Sequence, residues 1–416
     1  MATIKAFQAF RPEKKITDRV AALPYDVYNR EEARETALKE PLSFLNIDRP
    51  ETQFPEDYDM YAPEVYAKAK DMLDSEIKDG VFVQDKKACY YLYELTMNGR
   101  AQTGIVACAS IDDYIDGVIK KHENTRADKE LDRIKHVDTC SAQTGPIFLA
   151  YRSDDEIEKT VRKVKENAPE ADFTSEDSIR HRVWMIDSDA DIDTIRSRFA
   201  SIKSIYIADG HHRAASAVKV GLMRREQEKQ AKGSYDKTAE YNFFLSVLFP
   251  ENELMIMDYN RVVKDLNGLS DEEFLKKIST KFEVTKVGKE AFRPTAKAEF
   301  GMYLGREWYK LTAKNGSFNE KDPVAGLDVS VLQSNLLAPI LGIFDPKTDK
   351  RIDFVGGIRG LKELERRCES EMKIAFSMYP TSILELFDVA DAGLLMPPKS
   401  TWFEPKLRSG LFIHRF

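Results

Sequence analysis

Cysteine, long apolar runs and the common nucleotide-binding signatures are scarce or missing in this chain of 416 residues. The four cysteines are Cys89, Cys108, Cys140 and Cys368. They lie far apart without C-x-x-C spacing, so the sequence predicts neither a disulfide framework nor a zinc site, but reduced and mostly buried thiols. The longest apolar stretch, residues 336–344, contains a proline and is far too short to span a bilayer.

Further absences narrow the class of protein. Charges interrupt the first fifteen residues too early for the apolar core of a signal peptide, so we expect a cytoplasmic protein without a membrane partner. The net charge of −7 argues against nucleic acid as a partner. The chain has no Walker A sequence, no G-x-S-x-G, no G-x-G-x-x-G and no protein-kinase signature set. We expect a small-molecule ligand, and the oligomeric state stays open, with a homodimer as one alternative.

The patterns that are present predict an α/β fold. Apolar residues make up 42% of the chain, which is enough for a large core. Predicted strands and helices alternate along the first 260 residues, which favours a mixed β-sheet with flanking helices. After that point this alternation of predicted strands and helices is no longer seen. We therefore predict an α/β core over residues 1–265 and an α+β region over residues 266–416 that packs onto it.

The sequence SIYIADGHHRAASA is the strongest candidate for a functional site. A predicted strand ends at Asp209, Gly210 makes the turn, and a helix begins at once. The free N–H groups of a helix N-terminus bind anions, phosphate above all, and Arg213 adds a bidentate donor. His211 and His212 titrate near neutral pH, and Asp209 could hold a metal ion or act as a base. A merely capped, solvated helix is the alternative, but basic residues in a first turn oppose the helix dipole, so we interpret the turn as an active or binding site.

A second candidate is IKKHENTRADKELDRIKH, in which His122 and Glu123 come just before a predicted helix. Four basic residues share one face of that helix: Arg126, Lys129, Arg133 and His136. This stripe suits a phosphorylated ligand, and it suits equally a solvated face paired with acidic neighbours. Arg126 stands where a zinc protease motif would have its second histidine, which excludes that class.

Weaker candidates lie near both ends of the chain. The segment LMPPKSTWFEPKLR offers Lys399, Ser400 and Lys406 as phosphate donors, or a docked tail without a ligand. The LPYDV segment offers Tyr25 and Asp26 beside a proline, a pattern typical of a turn. A Gly-Gly turn in RIDFVGGIRG allows close approach of a ligand to the backbone, but two glycines alone are weak evidence.

Taken together, these segments resemble a known family. The strings are LPYDVYNREEAR, TGIVA, KKHENTRADKELDR, IADGHHR, YNFFLSVLFP and MPPKSTWFEPKL. They resemble the bacterial and archaeal "domain of unknown function 1015" family over essentially the whole chain. That resemblance implies a shared fold and leaves the activity open.

The strand–DGHHR–helix unit is also similar to the phosphate-binding box of the ParB/sulfiredoxin-like superfamily. Members of that superfamily bind nucleotides through such a turn, and some are free-serine kinases that use ATP or ADP and carry D-G-H-x-R. This resemblance implies a ParB/sulfiredoxin-like core and a nucleotide-dependent small-molecule kinase, with O-phosphoserine as one product. Sulfiredoxin has a catalytic cysteine in this box, whereas this chain has histidines, which argues against sulfinic-acid repair.

The resemblance implies roles for the candidate residues. The DGHHR turn would hold the phosphates of ATP or ADP, with Mg²⁺ bridging them and Asp209 as its ligand. The catalytic candidates are Glu123, Asp209, His211 and His212, with Glu123 or Asp209 as base. The phosphate-binding candidates are His122, Arg126, Lys129, Arg133, Gly210, His212 and Arg213, and the substrate candidates are Tyr25, Asp26, Lys399, Ser400 and Lys406.

Two other functions fit the same residues. One is a phosphatase or other hydrolase of a phosphorylated metabolite, with His211 or His212 as nucleophile or acid. The other is a nucleotide or metabolite sensor that binds its ligand without turnover.

Overall fold

The computed structural model describes residues 1–125 and 127–416 and forms two units. Unit 1 comprises Met1–Leu254 and Pro405–Phe416, and unit 2 comprises Met255–Glu404. The boundary thus lies eleven residues before the one drawn from the sequence at residue 265. The segment Pro405–Phe416 returns to unit 1 because of contacts between residues far apart in the chain, which composition does not reveal.

Unit 1 contains helices and strands in alternation. Its α-helices are α1 (Thr17–Val20), α2 (Arg30–Lys39), α3 (Leu45–Asp48), α4 (Pro63–Lys78), α5 (Ile111–Ile115), α6 (Ala127–Cys140), α7 (Asp155–Lys165), α8 (Asp189–Phe199) and α9 (His211–Lys232). Its strands are β1 (Ile4–Lys5), β2 (Phe10–Pro12), β3 (Phe82–Gln84), β4 (Tyr90–Met97), β5 (Arg100–Ser110), β6 (Ile119–Lys120), β7 (Ala142–Gln143), β8 (Ile147–Tyr151), β9 (Ala171–Thr174), β10 (Arg180–Ile186), β11 (Ile205–Asp209), β12 (Phe243–Pro250) and β21 (His414–Arg415). Short 3₁₀ turns lie at Lys14–Ile16, Pro50–Gln53, Glu240–Asn242 and Glu251–Glu253.

One large mixed sheet organises unit 1. Its strand order in the described residues is β6-β11-β8-β12-β5-β4-β10-β9, with β1 paired to β5. The β6–β11 and β8–β12 pairs are parallel, and the other pairs are antiparallel. The predicted mixed α/β class is therefore confirmed. The sequence Asn98-Gly99 between two β-rich segments is a type I′ turn signal that predicts a hairpin, and these residues join β4 to β5 with positive φ angles of 51° and 80°.

The sheet carries the apolar core of unit 1. Strands β4, β5 and β8 are buried along most of their length, as in Tyr90, Leu92, Ile105 and Leu149. Ala217 and the neighbouring small residues of α9 pack against this cluster. A helix built of small residues comes close to a sheet, which fixes the direction in which its N-terminus points.

Unit 2 is built around a second, antiparallel sheet. Its strands are β13 (Ile256–Met257), β14 (Tyr259–Val263), β15 (Phe282–Gly288), β16 (Glu299–Leu304), β17 (Glu307–Ala313), β18 (Ile352–Gly356), β19 (Ile374–Met378) and β20 (Trp402–Phe403). Its α-helices are α10 (Asp271–Ile278), α11 (Asp328–Leu332), α12 (Leu361–Ser370) and α13 (Ile383–Asp391), with a π-helix at Gln333–Leu337 and a 3₁₀ turn at Gly357–Arg359. The sheet order is β15-β17-β16-β19-β14-β18, while β13 pairs with β20. Trp308 and Leu364 lie in its core.

No helix in the described part of the chain combines the length and the hydropathy needed to cross a membrane.

Candidate functional site

The turn at Gly210 joins β11 directly to α9. Gly210 has φ +92° and ψ +32°, a left-handed conformation that costs a residue with a Cβ but not glycine. The helix begins at His211, as the sequence predicts, and runs for 22 residues. No side chain caps its N-terminus, and its first turn contains no acidic residue. The positive end of a long helix is thus left without the capping side chain or first-turn acid that usually stabilises it.

Arg213 folds back over this turn. A Cβ built on Gly210 would lie 3.1 Å from both Nε and Nη2 of Arg213, so the guanidinium lies directly against the glycine. Its Nη1 donates a hydrogen bond of 2.5 Å to the carbonyl of Pro146. Among the described residues, this is its one hydrogen bond, and no carboxylate forms an ion pair with it. An arginine has five N–H donors, so most of those of Arg213 face the turn with no protein acceptor.

Asp209 is held in place by two donors. Lys406 lies 3.1 Å from its Oδ2, and the N–H of Gly210 donates to its Oδ1 at 2.8 Å. Burial alone would raise the pKa of Asp209, but the positive charges of Lys406 and Arg213 outweigh it and hold the pKa well below its usual range. Asp209 is therefore a carboxylate whose two oxygens are already engaged.

Two buried histidines lie beside the turn. Strand β6 runs parallel to β11, with Ile119 paired to Ile205, so the residues after both strands lie at the same edge of the sheet. The rings of His122 and His211 meet edge to face at 4.5 Å between centroids. Neither ring nitrogen of His122 forms a hydrogen bond of normal geometry with a described residue. Burial lowers the pKa of His122 to about 4 and that of His211 well below its usual value, so both are neutral imidazoles.

The other candidate residues of the HENTR block, which is the segment 122–136, differ in how far they are exposed to solvent. Lys129 is exposed, whereas Arg133 and His136 are buried, so the predicted basic stripe is not one solvated face. Glu123 and His212 are half-buried. Arg126 lies outside the described residues, and its predicted role stays a prediction.

Glu130 links α6 to α9 near the candidate site. Its carboxylate accepts a hydrogen bond of 2.7 Å from Thr125 and pairs with Lys219 of α9. The hydroxyl of Ser216 donates to the carbonyl of Glu130 at 3.1 Å and to that of His212 at 2.7 Å. These contacts fix α6 against the first turns of α9.

A small cavity adjoins the other side of Arg213. It measures about 30 Å³. Its polar lining includes Tyr25, Asp48, Arg133, His136, Thr144 and Arg213. Three separate sequence segments, LPYDV, the HENTR block and DGHHR, therefore meet around one space within unit 1.

Arg133 and Tyr25 form one wall of that cavity. The guanidinium of Arg133 lies 4.0 Å from the centroid of the Tyr25 ring, a cation–π contact, and its Nε donates to Asp132 at 3.0 Å. Burial raises the pKa of Tyr25 to about 12, although Arg133 and Arg213 lower it in part. Tyr25 is therefore an un-ionised phenol at neutral pH. Asp26, the neighbouring substrate candidate, is exposed.

Lys399 and Ser400 belong to unit 2. The hydroxyl of Ser400 donates to the carbonyl of Pro397 at 2.6 Å, and the Lys399 ammonium lies 5.5 Å from the centroid of the Tyr259 ring. The carbonyl of Lys399 accepts a hydrogen bond of 3.0 Å from Arg261. Their predicted role in binding substrate stays a prediction.

The Gly-Gly turn of unit 2 has a packing explanation. A Cβ on Gly356 would lie 2.7 Å from the ring of Trp402, and one on Gly357 would lie 2.4 Å from the carboxylate of Asp258. The close approach that the sequence suggests is thus made by protein side chains.

A metal ion finds little support in the described residues. They contain no group of three or more His, Cys, Asp and Glu side chains arranged to hold one. Magnesium can bind through one or two carboxylates plus substrate phosphates. Asp209, the predicted ligand, already gives one oxygen to Lys406 and the other to the Gly210 amide, so it does not fit a metal in this arrangement.

Several residues around the cavity were missed by sequence reasoning. Asp48 and Thr144 are buried and hydrogen-bonded to each other at 2.8 Å. Asp48 gives no local signal, because a single acid in a short helix resembles a surface residue. Thr144 stands in the sequence TGP before β8, where the Gly-Pro pair predicts a turn.

Comparisons with known proteins add a family and several distant structures. The model of the family described as "Protein of unknown function (DUF1015)" matches residues 4–330. No curated protein matches the chain.

Solved structures with a similar arrangement share little sequence with the chain. One is a free serine kinase in complex with AMP, with 14% identity, a TM-score of 0.32, and coverage of 72% of this chain and 86% of that one. Another is SbnI with a C-terminal truncation from Staphylococcus aureus, with 12% identity, a TM-score of 0.37, and coverage of 72% and 82%. A third is a conserved hypothetical protein from Pyrococcus furiosus, with 14% identity, a TM-score of 0.32, and coverage of 73% and 93%. At TM-scores this low, none of these likenesses says what the chain binds.

Proposed function

Because the chain belongs to the DUF1015 family of proteins of unknown function, its activity has to be inferred from its own residues, and we propose that it transfers a phosphoryl group from a nucleotide to a small hydroxyl-bearing molecule. Serine is the first acceptor to test, since free-serine kinases carry the D-G-H-x-R sequence that this chain resembles. ATP and ADP are the candidate donors.

One observation carries the proposal. The N-terminus of the 22-residue helix α9 has no capping side chain and no acidic residue, and Arg213 lies over it without an ion-pair partner in the described residues. Amide N–H groups, a helix dipole and a guanidinium edge are the donors that bind phosphate groups in proteins. Phosphoryl transfer depends mainly on such positioning and charge neutralisation.

Asp209 and Glu123 are the two candidates for the general base, and they differ in how readily they accept a proton. Asp209 has a depressed pKa because Lys406 and Arg213 outweigh its burial, which makes it a weak proton acceptor. We therefore assign the base to Glu123, which follows β6 at the same sheet edge. Glu123 takes the proton of the acceptor hydroxyl, and Arg213 and the α9 amides neutralise charge on the phosphoryl oxygens. Asp209 orients Lys406.

The donor set of the site fits phosphates but not a whole nucleoside. The cavity beside Arg213 measures about 30 Å³, far below the roughly 300 Å³ of an ordinary ligand pocket. The residues of the turn would therefore hold the phosphates and leave the nucleoside outside this cavity. Because Asp209 does not fit a metal as it stands, no step is assigned to Mg²⁺.

The test is a product assay on the purified protein. ATP or ADP is incubated with and without serine, and O-phosphoserine and nucleotide products are separated. Glu123→Gln should lower turnover by about 10²-fold or more while nucleotide binding stays, because it removes the base and leaves the phosphate donors. Glu226→Gln, at an exposed position of α9, is the matched control.

Other outcomes would favour the alternatives. Phosphate release from phosphoserine without nucleotide would indicate a hydrolase. Nucleotide binding without consumption, across a panel of hydroxyl acceptors, would indicate a sensor. Wild-type turnover in the Glu123→Gln variant would refute the assignment of the base.

A further inference from the structure

Arg261, in β14 of unit 2, is a buried cation without a carboxylate partner. Four arginines are buried in the part of the chain that the structure describes: Arg49, Arg133, Arg261 and Arg408. Three of them form an ion pair with a carboxylate: Arg49 with Glu51, Arg133 with Asp132, and Arg408 with Asp177. Arg261 forms none with a described residue. Because a buried charge is costly unless an opposite charge faces it, this isolated cation needs an explanation.

Two backbone carbonyls hold the guanidinium of Arg261 in place. It donates hydrogen bonds to the carbonyls of Tyr259 and Lys399, the second at 3.0 Å. These bonds use two of its five N–H donors, but a carbonyl is neutral and does not balance the charge. Burial lowers the pKa of Arg261 to about 10, which is the direction expected for a desolvated cation that has no carboxylate close by.

The carboxylates on or near β14 have other partners. Three of them are described: Asp258 pairs with Arg293 at 2.6 Å, Asp353 pairs with Arg367 at 2.8 Å, and Glu404 accepts a hydrogen bond from the ring N–H of Trp402 at 2.9 Å. None of the three forms an ion pair with Arg261. A bound anion is therefore the counter-charge that the described residues do not supply.

Aromatic rings and a second cation surround this position. The guanidinium of Arg261 lies 5.4 Å from the centroid of the Phe354 ring, and the Tyr259 ring contacts those of Phe354 and Trp402 at 5.8 Å and 4.9 Å. Phe354 and Trp402 are only half-buried. The exposed Lys399 ammonium lies 5.5 Å from the centroid of the Tyr259 ring. Lys399 has φ +61°, a left-handed conformation that is costly for a residue with a Cβ and is found most often in functional segments.

We propose that unit 2 binds a small organic oxyanion, a carboxylate or a phosphate ester, with Arg261 as its buried ion-pair partner and Lys399 as a second cation. A guanidinium with donors still to offer forms strong, directional hydrogen bonds with the oxygens of either group. The half-buried rings of Phe354 and Trp402 would contact the apolar part of the ligand. This site goes beyond the proposed phosphotransferase function, because its residues all belong to unit 2 and the DGHHR turn belongs to unit 1.

Three variants of the full chain test this site. Arg261→Met replaces the guanidinium by an apolar side chain, and Lys399→Met removes the second cation at an exposed position. Arg351→Met is the matched control, because Arg351 is an arginine of unit 2 whose charge is already paired with Asp349 at 2.9 Å. Without ligand, Arg261→Met should melt at or above the wild-type temperature, since it removes an unpaired buried charge, whereas Arg351→Met breaks an ion pair and should melt lower.

Binding is measured by calorimetry with sodium benzoate and with phenyl phosphate at constant ionic strength. The two probes present a carboxylate and a phosphate ester on the same apolar ring, so they distinguish which oxyanion the site takes. Wild type should bind at least one of them. Arg261→Met should weaken that binding at least tenfold and Lys399→Met about threefold, while Arg351→Met leaves the Kd within twofold. The same measurements in an Arg213→Gln background exclude a contribution from the DGHHR turn.

Binding of neither probe to wild type would overturn the proposal. Wild-type affinity in Arg261→Met would overturn it too, as would equal losses in Arg261→Met and Arg351→Met. If Arg261→Met melts below wild type, Lys399→Met decides, because Lys399 is exposed, and unchanged binding in that variant overturns the proposal. Nucleotide turnover is not a readout, so the result holds whether or not the chain is a phosphotransferase.

Discussion

At the scale of single residues, the proposed binding of phosphate at the turn can be tested through Arg213. Arg213→Gln removes the charge and the bidentate edge over Gly210. We expect turnover to fall by about 10²–10³-fold, the usual cost of losing one charge-stabilising donor in a transition state. Arg213→Lys should recover only a small part, since a point charge does not reproduce the planar fork. Steady-state rates and the Kd for ADP measure both effects.

The control for Arg213 is an arginine of similar chemistry away from the turn. Arg196→Gln removes an exposed side chain on α8 that pairs with Asp193. It should change neither turnover nor ADP binding. An Arg213→Gln variant that bound ADP as wild type does would contradict the phosphate role.

The buried histidines predict a pH dependence of stability. His122 has a folded-state pKa of about 4, and the pKa of His211 is also depressed, because burial disfavours the charged ring. The unfolded chain therefore binds protons that the folded chain does not. The contribution of these histidines to the free energy of unfolding should be constant above about pH 6.5 and fall by up to about 1.4 kcal/mol per pH unit per histidine as the pH drops towards 4. Glu76 and Asp328, whose pKa values burial raises to about 7, contribute in the opposite direction.

A variant isolates the share of one histidine in that dependence. His136 and His181 are buried with lowered pKa values as well, so the wild-type slope contains their contributions. His122→Gln should reduce the slope of the free energy of unfolding against pH, between pH 6.5 and 4.5, by the contribution of one histidine, up to about 1.4 kcal/mol per pH unit. Denaturant unfolding at four pH values measures it. An unchanged slope would mean that His122 is protonated in the folded state.

The sequence predicts part of this residue-level arrangement. Asp209, Gly210 and Arg213 are found where a strand–glycine–helix pattern predicts them, because that signal is local. His122 and His211 are 89 positions apart in the sequence. The parallel pairing of β6 and β11 brings them into contact. No local pattern encodes such a pairing.

At the scale of elements, a substitution of Gly210 tests whether the turn between β11 and α9 requires a glycine. Gly210→Ala should cost about 1 kcal/mol of stability, because φ is +92° there. Its Cβ would also press on the Arg213 guanidinium at 3.1 Å, so ADP affinity should fall about tenfold. Thermal unfolding and calorimetry separate the two effects.

Gly233 at the other end of α9 is a matched control. It has φ +80°, and no atom lies within 4 Å of a Cβ built on it. Gly233→Ala should therefore cost a similar stability and leave ADP binding unchanged. Equal loss of ADP affinity in both variants would show that general strain in α9, and not contact with Arg213, is responsible.

Elements with strong local signals are predicted well. The residue pattern over 61–78 predicts a helix, and α4 spans Pro63–Lys78. Asn29 and Ser270 are residue types that favour a helix N-terminus, and each opens a helix with a capping box, α2 and α10 respectively. The sequence also predicts a helix over residues 329–337, and the structure differs from that prediction. This segment begins as α11 and continues as a π-helix over Gln333–Leu337. A single π turn of five residues is too short for the spacing of apolar residues to distinguish it from an α-helix.

At the scale of the whole molecule, the segment Pro405–Phe416 is required by unit 1. Leu407, Leu411, Phe412 and Ile413 are buried in it. Burying four such side chains contributes about 6–12 kcal/mol, which compares with the roughly 5–15 kcal/mol by which a domain is stable. Deleting residues 405–416 should therefore leave unit 1 unfolded, as measured by circular dichroism and protease sensitivity.

A point substitution separates folding from site assembly in that segment. Lys406→Met removes the partner of Asp209 and keeps the buried apolar residues. It should still fold, with a melting temperature lowered by a few degrees because Asp209 loses its ion-pair partner, and it should bind ADP more weakly. A truncated chain with native circular dichroism and unchanged melting would contradict the structural role of the segment.

The return of Pro405–Phe416 to unit 1 also sets the order of events during synthesis. Lys406 is added to the growing chain only after the 150 residues of Met255–Glu404 have been synthesised. At about 5–20 residues per second, this takes roughly 8–30 s. Through that interval a nascent chain holds Asp209, Gly210 and Arg213 but not their lysine. The proposed phosphate site should therefore be complete only after residue 406 has been added, whatever the folding speed of the first 254 residues.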